Sequence, residues 1–246
     1  MGIHQGKVFW VTGASGALGG AVARHLAGEG ARVVASGRSV RAEDFADHPG
    51  IEVVPLDVTD DAAVKAATAQ LLERHGRLDG VVTSTNVGAF GDFLELDDAQ
   101  WHSVIEAKLL GTVRVVRAAL PALVQQGKGS VVVITGRGGI DPPPNHFPGA
   151  SVNAALDLLV QGLGRRYGAQ GVRTNSIAPG PILSPRYAAM EQSGPDAGKR
   201  PDVAIGALGQ PVDIAHAASY LLSDASGFVN GSVLKVDGGG PAYRNQ

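Results

Sequence analysis

The chain of 246 residues contains no cysteine. That excludes disulfides, thiolate zinc sites and thiol nucleophiles. Net charge is equally scarce: 21 Lys and Arg against 23 Asp and Glu give a formal charge of −2. There is thus no electrostatic basis for a nucleic-acid or anionic-membrane partner. No run of about 18 apolar residues is present, as a spanning helix would need. Met1-Gly2-Ile3-His4-Gln5-Gly6-Lys7 leads into a strand with no apolar targeting segment, so the expectation is a cytoplasmic protein. No group of His and carboxylates has metal-ligand spacing, so no metal is expected. A Gly-x-Ser-x-Gly nucleophile elbow is absent too.

What is present is apolar and rich in turns. Hydrophobic residues make up 44% of the chain, and 35 glycines suit many tight strand-to-helix turns. Lys7–Val11, Ala31–Ala35, Ile51–Leu56, Leu78–Val82, Ser130–Ile134, Arg173–Ile177 and Ser232–Val236 read as strands. Their Val/Ile runs do not alternate with polar residues, the pattern of a sheet covered on both faces. Helical patterns lie between them at Ala17–Glu29, Asp60–His75, Trp101–Gln126, Ala150–Ala169 and Val212–Leu222. Strand–helix alternation throughout predicts an α/β Rossmann-type, doubly wound, seven-stranded parallel sheet with helices on both faces. No composition break divides it, so residues 1–246 are expected to form a single domain. The Pro-, Gly- and Ala-rich stretch 179–201 reads as a long loop with one short helix and is a candidate substrate lid.

Between the first strand and the first helix stands Thr12-Gly13-Ala14-Ser15-Gly16-Ala17-Leu18-Gly19. Glycines there permit a tight turn, and a helix N-terminus offers free N–H groups to a pyrophosphate. On this turn the chain resembles the short-chain dehydrogenase/reductase family, whose pattern is Thr-Gly-x-x-x-Gly-x-Gly. Ala17 takes the middle glycine position. The resemblance continues through Leu56-Asp57-Val58, which in the family contacts adenine, through Arg173-x-Asn175 with Ala178-Pro179-Gly180, and through Asp237-Gly238-Gly239. It covers nearly the whole chain in order. It implies a cofactor site of Gly13, Ser15, Gly16, Ala17, Leu18, Gly19, Arg38, Asp57, Val58, Thr85, Pro179, Gly180 and Ile182. The second strand ends in Ser36-Gly37-Arg38, with no carboxylate to take the ribose 2′-hydroxyl. Arg38 and Ser15 suit a 2′-phosphate instead, so NADP(H) is preferred over NAD(H). The alternative for Arg38 is a solvated surface side chain.

The departures fall where the family keeps its acid–base groups. Thr83-Ser84-Thr85-Asn86 replaces Asn-Asn-Ala-Gly after the fourth strand. The family's active-site Asn aligns with Lys108, its Ser with Gly136, its Tyr with Gly149 and its Lys with Asn153. The resemblance thus implies an atypical member without the Asn-Ser-Tyr-Lys tetrad. Glycine at both hydroxyl stations is expected to enlarge the pocket facing the nicotinamide. Lys108 falls on an apolar stripe of Trp101, Val104, Ile105, Thr112, Val115 and Val116. It is therefore a candidate proton donor, the alternative being a packed stem whose head snorkels to water or to a subunit interface. His146, three residues before Gly149, is a second candidate acid, against a merely solvated loop histidine. Arg137 is a candidate for an anionic substrate group, with a salt bridge to Asp141 as the alternative. The prolines 142–144 stiffen a pocket wall, and Tyr187 in the lid is placed to pack on substrate.

Two functional classes follow. One is an NADP(H)-dependent oxidoreductase of non-standard site, acting on a small-molecule carbonyl, imine or activated alkene. The other is a redox-inactive homologue that binds a ligand or partner, or catalyses a non-redox step. The long helices Trp101–Gln126 and Ala150–Ala169 resemble those that pair subunits in the family, which implies a homotetramer or a dimer.

Overall fold

The fold was analysed in a computed structural model that describes residues 2–185, 187–188 and 203–241. Most of the candidate lid, including residues 189–201, lies outside the described residues. Seven parallel strands form one sheet in the order β3-β2-β1-β4-β5-β6-β7: β1 Val8–Thr12, β2 Arg32–Gly37, β3 Ile51–Pro55, β4 Gly80–Thr83, β5 Gly129–Ile134, β6 Val172–Pro179 and β7 Val233–Val236. Helices α1 Ala17–Gly28 and α6 Pro211–Leu222 cover one face. The helices α2 Asp61–His75, α4 Gly111–Gln126 and α5 Phe147–Tyr167 cover the other.

β1 explains why its sequence shows no polar alternation. Its side chains project to opposite faces in turn, and both faces are buried. Val8 and Trp10 join the core under α2, α4 and α5, whereas Phe9 and Val11 join the core under α1 and α6. Trp10 is fully buried, and its indole N–H donates to Ser36 Oγ at 3.0 Å. That bond satisfies the one polar atom of the largest core side chain.

The predicted helix Trp101–Gln126 needs correction. It begins earlier, as α3 Asp98–Val104, and passes through a π turn at Ile105–Leu110 before α4. The Asp97 carboxylate caps α3 by accepting from Gln100 N, which fixes the early start. Apolar periodicity cannot register the π turn, because one extra residue in a turn shifts the stripe too little. Lys108 lies within it.

Candidate active site

The strand order reverses direction between β1 and β4. A doubly wound sheet opens a crevice at that point, beyond the carboxyl ends of its strands. A cleft of about 580 Å³ occupies it. Twelve of the thirteen residues predicted to hold the cofactor line this cleft: Gly13, Ser15, Gly16, Ala17, Leu18, Arg38, Asp57, Val58, Thr85, Pro179, Gly180 and Ile182. Gly19 is the exception. It is buried behind the turn, where a β-carbon would come within 2.4 Å of Gly13 O, so it lets α1 pack tightly on the turn.

Gly13 adopts φ +72°, and a β-carbon there would also meet the Ser84 carbonyl at 2.5 Å. Both the conformation and the space demand glycine. The N-terminus of α1 has no side-chain cap at Gly16, and Ala17 and Leu18 of its first turn face the cleft. Uncapped N–H groups and the helix dipole together fit a pyrophosphate. Elsewhere in the cleft lining, Asp57 Oδ1 accepts from the Thr59 backbone N–H at 2.9 Å and its hydroxyl at 2.8 Å. The Thr59 N–H, then its hydroxyl and the nearby Arg38 guanidinium, hold the Asp57 carboxyl below its ordinary range. Gly37 faces Ser15: a β-carbon at Gly37 would lie 2.9 Å from Ser15 Oγ.

Lys108, Gly136, Gly149 and Asn153 converge behind the other end of the cleft, where Phe90, Ala107 and Tyr187 contribute to its lining. Gly136 follows β5, and Gly149 and Asn153 lie one turn apart on α5. Lys108 does not snorkel: its side chain is 3% exposed, and its ammonium donates to the Thr135 carbonyl at 3.1 Å. His146 is not a solvated loop residue either, since its ring stacks on Phe90 with centroids 4.4 Å apart and planes 14° from parallel. Neither Lys108 nor His146 is among the residues that line the cleft.

The expected enlargement at the two glycines is not found, because neighbouring side chains have taken the space. A β-carbon at Gly149 would lie 1.9 Å from His146 Nε2, and one at Gly136 would lie 2.7 Å from Asn153 Nδ2. The imidazole and the carboxamide thus stand where the side chains of residues 149 and 136 would begin. Sequence spacing could not show this, because it locates Cα positions and says nothing of rotamers. Arg137 turns toward Asp141, Nε to Oδ2 3.8 Å, so the salt-bridge alternative describes it. The proline-bearing loop is tied to the segment that carries Phe90, with Asn145 O accepting from Gly91 N at 3.0 Å, but Pro142, Pro143 and Pro144 are not among the residues that line the cleft.

Asp157 was not legible as a site residue. It lies one turn beyond Asn153 on α5, is 6% exposed, and accepts from Ser176 Oγ at 2.7 Å. Burial pushes its carboxyl above the ordinary range, against the hydroxyls of Ser176 and Thr135 and the Lys108 ammonium. A signal existed in the four-residue spacing Gly149, Asn153, Asp157, which places all three on one helix face.

With this geometry the comparisons with known proteins agree. Residues 13–240 match the family model described as enoyl-(acyl carrier protein) reductase. The oxidoreductase UcpA of Salmonella typhimurium is 30% identical over 97% of this chain and 96% of its own. An uncharacterized NAD-dependent oxidoreductase of Mycobacterium tuberculosis is 32% identical over 98% of each chain. A short-chain dehydrogenase/reductase structure from Burkholderia xenovorans superposes with a TM-score of 0.91 at 30% identity, covering 97% of this chain and 98% of that one. The chain belongs to the short-chain dehydrogenase/reductase family. Its relatives are oxidoreductases, and a nicotinamide cofactor goes with that membership. Among the described residues no helix is long and apolar enough to cross a membrane, and no group of His, Asp and Glu could hold a metal ion.

Proposed function

We propose that this protein is an NADP(H)-binding oxidoreductase with a rebuilt active site, acting on a small-molecule carbonyl, imine or activated alkene. The observation that carries the reading is the cleft at the switch point, with an uncapped α1 N-terminus at its centre and Arg38 at its adenosine end. Bound there, the cofactor supplies a hydride. The chain holds its pyrophosphate on the Gly13–Leu18 turn and its 2′-phosphate between Arg38 and Ser15. Substrates whose reduced form needs little proton assistance suit a site without a phenol, because general acid catalysis contributes about 10²–10⁴-fold where it operates. Titrating the protein with NADPH by fluorescence is expected to give saturable binding below millimolar concentration. No binding in that range defeats the reading.

A second reading, a redox-inactive homologue that binds a ligand or partner, is favoured by one observation. The rooms of both former hydroxyl stations are filled by His146 and Asn153. Stereospecific transfer of deuteride from labelled NADPH to any carbonyl, imine or alkene probe excludes it.

We also propose that the protein is a homo-oligomer, a tetramer or dimer, joined through α4 and α5. Val113, Val116, Leu120 and Val124 of α4 and Leu159, Leu163 and Tyr167 of α5 line a shallow apolar hollow between the two helices, and Leu158 beside it is 69% exposed. Such surface marks contact sites. Leu163→Glu is expected to lower the mass measured by analytical ultracentrifugation. An unchanged mass, or a monomeric wild type, removes this face from consideration.

A further inference from the structure

A pair of stacked rings stands at the start of α5. The His146 imidazole lies on the Phe90 ring, centroids 4.4 Å apart and planes 14° from parallel. His146 immediately precedes α5, and its carbonyl accepts from Ala150 N at 2.9 Å. Gly91 N donates to Asn145 O at 3.0 Å, so the chain beside one ring is tied to the chain beside the other. Phe93 meets Phe147 edge-on at 5.3 Å between centroids and joins the same two segments again. The imidazole can take this place only because residue 149 is glycine: a β-carbon there would lie 1.9 Å from Nε2. The ring that fills the 149 station therefore backs Phe90, and Phe90 is one of the residues lining the cleft. A side chain already held in place loses little further freedom when a ligand packs on it.

Charge is divided unevenly around the same cleft. Among the described residues that line it, Arg38 and Asp57 carry the charge. They follow β2 and β3, on one side of β1 in the sheet. Phe90 and Ala107 lie between β4 and β5, and Ile182, Pro185 and Tyr187 follow β6, all on the other side of β1. None of these five is ionised at neutral pH. Arg137 is turned to Asp141 and does not line the cleft. A carboxylate or phosphate entering that end would lose water without gaining a cation, a cost that a flat uncharged molecule does not carry.

We propose that Phe90 selects the substrate, and that the substrate is an uncharged molecule whose reducible bond adjoins a planar conjugated ring, stacked on Phe90 with His146 behind it as the positioning residue. The inference rests on the oxidoreductase reading and narrows its substrate class.

The test is isothermal titration of the NADP⁺-loaded protein with 2-acetylnaphthalene and with 2-acetyldecalin, two neutral ketones of one carbon skeleton of which only the first has flat rings. Wild type is expected to bind the naphthalene ketone about 2–10-fold tighter, the worth of a ring pair beyond the area it buries. Phe90→Leu is expected to abolish that preference and Phe90→Trp to restore it. His146→Leu is expected to reduce the preference and His146→Phe to keep it, whereas a merely structural histidine would weaken both ketones alike. A third probe, 6-acetyl-2-naphthoate, is expected to bind about 10-fold more weakly than the neutral naphthalene ketone, because its carboxylate finds no cation. Equal binding of the two neutral ketones by wild type, binding of neither, or an undiminished preference in Phe90→Leu overturns the proposal. Naphthoate binding as tight as that of the neutral ketone overturns it too. Should Phe90→Leu fail to fold, wild type and Phe90→Trp carry the test, and a Trp variant without the preference counts against it. Failure of wild type to bind NADPH sinks the functional reading. NADPH binding with no preference for the flat ketone sinks this inference alone.

Discussion

Gly149→Ala is expected to destabilise the protein by about 1–2 kcal/mol, and the same substitution in a His146→Ala background is expected to stabilise it. Two effects of opposite sign compete. Alanine at a helical position gains about 0.5–1 kcal/mol over glycine from chain entropy. Against that, its β-carbon would stand 1.9 Å from His146 Nε2. The ring must swing away, losing its stack on Phe90, a contact of roughly 0.5–1.5 kcal/mol. Overpacking adds about 1–3 kcal/mol to the cost. The clash therefore wins in the native chain, and propensity wins once the imidazole is gone. Thermal unfolding reads this as a fall of about 2–8 °C that changes sign in the double background. The same sign in both backgrounds would show that His146 does not fill the room. A tyrosine at 149 would displace the His146 imidazole in the same way. Likewise a serine at 136 would push the Asn153 carboxamide aside, since a β-carbon at Gly136 would lie 2.7 Å from its Nδ2.

The second large effect concerns cofactor choice. Arg38→Ala is expected to weaken NADPH binding about 10–100-fold and to leave NADH nearly unchanged, because only the phosphate ester loses a charge-assisted bond. Gly37→Asp is expected to go further and reverse the preference. A carboxylate there repels the 2′-phosphate and accepts from a free ribose hydroxyl, while its β-carbon displaces the Ser15 hydroxyl that stands 2.9 Å away. Both cofactors are titrated by fluorescence against wild type and each variant. Equal losses for NADPH and NADH in Arg38→Ala would mean that Arg38 does not bind the phosphate. The Mycobacterium tuberculosis relative named as NAD-dependent makes this comparison the sharper one to run.

The sequence by itself determined the sheet and its cofactor end. Continuous Val/Ile runs can be stable only between two apolar layers, and every one of the seven became a strand of the parallel sheet. The glycine turn could be placed because φ +72° at Gly13 and the close approach of Ser84 leave no room for a side chain. Those constraints are local, so they are written in residue type and spacing. The reducing end is different. Gly136, Gly149, Asn153 and Lys108 stood out only through the family resemblance, and their meaning depends on which side chain enters which space. That was decided by the inward course of the π turn at Lys108, by the His146 ring held on Phe90, and by the Asn153 carboxamide against Gly136. The tertiary structure alone also brought Lys108 to the Thr135 carbonyl and Asp157 to the Ser176 hydroxyl. Contacts between elements far apart in the chain leave no periodicity for the sequence to show.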